Sequence, residues 1–86
     1  MGEFDKAVAQ AKEAANVSAG TAEEVDATYN VGLIYLQALH DPKEALTWMK
    51  RAQGLVASVL PDPADQAKWL SATAEGIRRC EQEAGK

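Results

Sequence analysis

The sequence predicts an all-α chain of four antiparallel helices, and three observations predict it. Apolar residues make up 47% of the 86 residues, and much of that fraction is Ala and Leu, which suits closely approaching helices better than strands. Helix-breaking residues cluster at three places, Gly20, Asp41-Pro42 and Pro61-Asp62-Pro63, each joining a stop to a good start. Between these breaks the apolar residues recur at the three-and-four spacing of one helix face. The helices expected are about 4–18, 22–39, 42–60 and 63–83, forming a single domain over residues 1–86.

The first helix places Phe4, Ala7, Val8, Ala11, Ala14 and Ala15 on one stripe, with Asp5, Lys12 and Glu13 away from it. The second opens on Thr21-Ala22-Glu23-Glu24, which reads as a capping box: the Thr hydroxyl accepts from a free backbone N–H and Glu24 reaches back to the cap. It carries two apolar stripes, Val25, Tyr29, Gly32, Leu33 and Leu36 on one and Ala27, Val31, Ile34 and Ala38 on the other. Such a helix is expected to lie buried between neighbours.

The third helix starts at Asp41-Pro42, with Pro at the first helical position, where its missing N–H costs nothing. Its stripe is Ala45, Met49, Ala52, Val56 and Val59, flanked by Leu46, Trp48 and Leu55. Gly54 should weaken it by about 1 kcal/mol relative to Ala. Asp62-Pro63 opens the fourth helix in the same way, and Trp69, Leu70, Thr73, Gly76, Ile77 and Cys80 form its apolar side. This last helix is expected to bury less than the second and to act as a terminal cap.

Charge and composition bound the function. The net charge is −4, and the nine Lys and Arg residues are dispersed apart from Lys50-Arg51 and Arg78-Arg79, so a surface that tracks phosphates is not indicated and no nucleic acid is expected. No apolar run approaches the roughly 18 residues of a membrane helix, and no membrane is expected. The single cysteine, Cys80, excludes an intramolecular disulfide and suits a reducing compartment, so a cytoplasmic location is the expectation; a bond between two chains stays open. His40 stands alone in a turn beside Asp41, without the three or four ligands a metal needs. No nucleophile elbow, oxyanion loop or Gly-rich phosphate cradle accompanies it. No cofactor, no metal and no enzyme activity are expected.

An internal repeat organises the chain. Ala7 and Ala14 in the first helix and Ala45 and Ala52 in the third each stand seven apart, behind an acidic, lysine-bearing start, and 45 minus 7 gives an offset of 38 residues. That offset falls in the range of helical-hairpin repeats. The middle hairpin, Ala27-Thr28-Tyr29-Asn30-Val31-Gly32-Leu33-Ile34-Tyr35 followed by Asp41, Ala45, Trp48, Ala52 and Gly54, resembles a tetratricopeptide repeat and its Sel-like relatives. The match covers one hairpin. The turn Ala38-Leu39-His40-Asp41 departs from it, lacking the glycine often found there.

The resemblance implies hairpins stacked side by side, with a compact four-helix bundle as the alternative architecture. It also implies a protein-interaction module whose groove is lined by the first helix of each hairpin. The matching positions are Asp26, Tyr29, Leu33, Leu36 and Gln37 on the second helix, with Leu70, Ala74, Ile77 and Arg78 on the fourth. Asn30 matches an asparagine that clamps a peptide carboxylate in some members, but Ala67 and Ser71 stand where its basic partners would be. The partner expected is a peptide or protein, and a homodimer is the second expectation. A structural or designed bundle without a natural partner stays open, as does a small-ligand pocket between Tyr29, Tyr35, Trp48 and Trp69.

Overall fold

The structure is a computed structural model that describes residues 2–85. It is all-α, with four helices in the order α1 (Gly2–Val17), α2 (Ala22–Gln37), α3 (Pro42–Val59) and α4 (Pro63–Ala84). Three of the starts are set by the residues expected to set them. Asp41 accepts from the Glu44 N–H at 3.2 Å and Asp62 from the Ala64 N–H at 2.9 Å, and Pro42 and Pro63 take the first turns. Thr21 caps α2 by backbone conformation alone.

The expected capping box at Thr21 is replaced by a different pair of bonds. The Thr21 hydroxyl donates backwards to the Ser18 carbonyl at 2.6 Å, and Glu24 accepts from the Gly20 N–H at 2.9 Å, one residue earlier than expected. Gly20 adopts φ +85, and that left-handed turn aims its N–H at the carboxylate. At the exposed start of α2, a hydrogen bond from its own backbone N–H lowers the Glu23 carboxyl pKa from its ordinary value. The second helix also ends two residues early, at Gln37. There the Leu39 N–H returns to the Ile34 carbonyl and the Asp41 N–H to the Tyr35 carbonyl. His40, at φ 52, occupies the left-handed position that glycine usually fills.

Packing follows chain order. Consecutive helices pack on each other, α2 also touches α4, and among the described residues the α1 backbone approaches neither α3 nor α4. A closed bundle would bring α1 and α4 together, so the chain is an open stack. Its extents are 37 × 28 × 14 Å, and the short dimension suits two helix layers with axes about 9 Å apart. Leu36 with Ala45 at one end and Val25 with Val56 at the other make α2 and α3 antiparallel. Tyr29 beside Trp69 and Leu36 beside Cys80 make α2 and α4 parallel.

The core is a seam along α3. Ala45, Met49, Ala52 and Val56 are fully buried, with Val25 and Val31 from α2 and Cys80 from α4. Met49 lies between two glycines. A Cβ on Gly32 would come within 3.0 Å of its side chain, and one on Gly76 within 2.7 Å. Buried Thr73 is satisfied by the Trp69 carbonyl at 2.7 Å, whereas the equally buried Thr28 hydroxyl has no partner. α1 covers less: Val8 and Ala15 are buried, but Phe4, expected on the buried stripe, is 51% exposed.

Two exposed positions should respond predictably. A Cβ on Gly54 would meet nothing within 4 Å, so Gly54→Ala should stabilise by about 1 kcal/mol and raise the thermal midpoint by about 4–8 °C. At His40 a β-branched side chain is the poorest fit to the left-handed conformation. His40→Val should lose about 1 kcal/mol in urea unfolding while His40→Gly loses nothing, and equal effects of the two would contradict the strain.

Candidate functional site

Parallel helices α2 and α4 leave one side of their seam uncovered, because α3 packs behind both. Along this side Tyr29 meets Trp69 edge to face, with ring centroids 5.4 Å apart. Leu33 is half-buried beside it, resting on the Leu36–Met49–Cys80 cluster. Leu70, 45% exposed, lies on the other side of α4 from Lys68 and Arg79, which face α2. Asp26 lies at one end, in a depression shared with Glu23, Lys68 and Trp69. Gln37 lies at the other, near His40, Arg79 and Glu83.

The nine positions expected on the groove therefore fall into distinct surroundings. Asp26 and Gln37 are exposed rim and Tyr29 and Leu33 are half-buried, while half-buried Ile77 and exposed Leu70 and Ala74 lie on the side of α4 turned from α2, and Arg78 is exposed. Leu36 is 7% exposed and supports the face from behind. Arg78 is held by Glu75 at 2.7 Å, and that hydrogen bond raises the guanidinium above its ordinary value. Both side chains are well exposed, so the pair adds little stability.

A second groove runs between α1 and α2. It has a volume of about 570 Å³ and is lined mainly by apolar atoms, with Phe4, Ala7 and Ala11 on one wall and Asn30, Leu33 and Gln37 on the other. Leu33 serves both grooves, so α2 presents one continuous strip from the α1 side to the α4 side. Asn30 is exposed on this second wall.

A third site was not visible as one in the sequence. The Lys12 ammonium donates to the Tyr35 hydroxyl at 3.0 Å and lies 5.3 Å from the centres of both the Tyr35 and Trp48 rings. Arg51 sits over Trp48 at 5.2 Å. Cations above aromatic faces gain roughly 0.5–1 kcal/mol at exposed sites. Here they also tie α1 to α3, which its backbone does not approach. Lys12 stands one helical turn after Val8 and three residues before Ala15, both buried in α1. That spacing was the available signal for a long side chain lying along the apolar face. The four aromatics expected around one pocket thus lie on different seams: Tyr29 meets Trp69, while Tyr35 and Trp48 share the Lys12 ammonium.

His40 is exposed in its turn and Cys80 is fully buried. Burial pushes the Cys80 thiol up, with Arg79 opposing and Glu81 adding to the shift, so it behaves as a small protonated core residue. Among the described residues no group of His, Cys, Asp and Glu could hold a metal ion, and no helix is long and apolar enough to cross a membrane. Comparison with known proteins finds no matching family model, no similar curated protein and no similar solved structure.

Proposed function

We propose that the chain is a protein-interaction module, similar to a tetratricopeptide stack, that holds a peptide or protein on the α2–α4 face. The observation that carries this reading is the strip of Tyr29, Leu33 and Trp69, apolar at its centre and rimmed by Asp26, Gln37, Lys68 and Arg79. An apolar centre with a polar rim is the make-up of a binding patch. The open stack lends further support, since α1 and α4 stay apart and each presents a side that no helix covers. In this reading Tyr29 and Leu33 are anchors and the rim sets orientation and register.

A displayed library of 15-residue peptides selected against the intact chain tests the reading. Selected peptides should lose about 30-fold in affinity, near 2 kcal/mol, for Tyr29→Ala or Leu33→Ala if these are hot spots. Amide chemical shifts should move along α2 and α4, while Lys50→Ala on the far side of α3 leaves affinity unchanged. A selection without binders, or binders indifferent to both anchor variants, would contradict the proposal.

A further inference from the structure

The two ends of the stack are unfinished in complementary ways. The repeat offset of 38 places Ala7, Ala11 and Ala14 of α1 at the stations of Ala45, Met49 and Ala52 in α3. In α3 all three are fully buried, chiefly under α2 and α4. In α1 their counterparts are half-buried or, for Ala14, exposed, and Ala7 and Ala11 form one wall of the α1–α2 groove. The helix that covers α3 from the α2 side has no equivalent over α1. At the other end the same offset carries Gly32 and Leu36 of α2, which face α3, onto Leu70 and Ala74 of α4. Both are exposed. So, among the described residues, no helix is to α4 what α3 is to α2, and none is to α1 what α2 is to α3.

We propose that this chain also binds a second copy of itself, arranged head to tail, with α4 of one copy seated in the α1–α2 groove of the next so that the two helices complete a hairpin between chains. This rests on the reading that the chain is a protein-interaction module, and it adds the α1–α2 groove and the outer side of α4 to the α2–α4 face. The register comes from the packing inside one chain. Gly32 faces Met49 and Leu36 faces Ala45 across α2 and α3. Shifting each helix by 38 sets Leu70 of one copy opposite Ala11 of the other, and Ala74 opposite Ala7.

The sizes interchange and remain complementary. Inside the chain a glycine receives a methionine; between chains the projecting Leu70 meets an alanine, and one turn along Ala74 meets another. Charge agrees with the same register. It brings Arg78, whose present partner Glu75 is exposed, to the start of α1, where the first turn carries Glu3 and Asp5. Because different surfaces meet, the contact is heterologous, and each added copy leaves both kinds of end open.

The test uses two alanines whose side chains are exposed, Ala14 on α1 and Ala74 on α4. Sedimentation velocity of the unaltered chain should show mass rising with concentration beyond a dimer. Ala14→Glu and Ala74→Glu, each helical by circular dichroism, should each stay monomeric. An equimolar mixture of the two variants should form a species of two chains and nothing larger, since only one pair of intact ends remains. A chain that stays monomeric up to millimolar concentration overturns the proposal, as does a self-complementary dimer unaffected by either variant, or a mixture that stays monomeric. If the selected peptides still bind α2 and α4 in any of those cases, the interaction-module reading survives the loss of this one.

Discussion

Everything in this molecule is arranged around the Met49 side chain, which passes between Gly32 on α2 and Gly76 on α4. Both glycines leave a Cβ-sized space that the thioether fills. A residue at either glycine would push its helix away from α3 or force Met49 out of place, because Met49 has no exposed surface through which to yield. Methionine suits the site for a physical reason: it is unbranched and polarizable and fills a narrow slot between two backbones. Truncating it would cost roughly 2–5 kcal/mol.

That one contact explains why the α2–α4 face exists. Two parallel helices drawn onto the same side chain of α3 come close enough for Tyr29 and Trp69 to meet, with Leu33 left half-buried in front. Since α3 occupies the rear, the front stays free. α1 joins by other means, through Val8 and Ala15 on α2 and the reach of Lys12 to Trp48. Its looser attachment leaves Phe4 and the alanine stripe open. The open α1 stripe and the open α2–α4 face are therefore consequences of how the core is built.

Much of the fold was legible in the sequence because its signals were local. Asp41-Pro42 and Asp62-Pro63 start helices by geometry that needs no tertiary context, and the Ala45–Met49–Ala52–Val56 stripe is the buried one. Less legible were features decided by a neighbour's position. Glu24 bonds to Gly20 because the turn before α2 is left-handed, and His40 adopts a conformation for which glycine was expected. Lys12 reads as a solvent residue until Trp48 is placed beside it. The α2 half of the candidate face was legible as a set of positions, but which side of α4 completes it, that of Lys68 and Arg79 and not that of Leu70 and Ile77, depends on where α4 lies across α2.

The most direct measurement of the Met49 constraint is a double-mutant cycle in urea unfolding, with Met49→Ala and Gly76→Ala singly and together. In the unaltered background Gly76→Ala should destabilise by about 1 kcal/mol, overpacking outweighing the helix propensity that alanine brings. In the Met49→Ala background, where the thioether is gone, the same substitution should stabilise by about 1 kcal/mol. That change of sign amounts to a coupling of about 2 kcal/mol, within the range for residues in contact. Equal effects of Gly76→Ala in both backgrounds would contradict the account, since α3 and α4 would then be held together by something other than Met49.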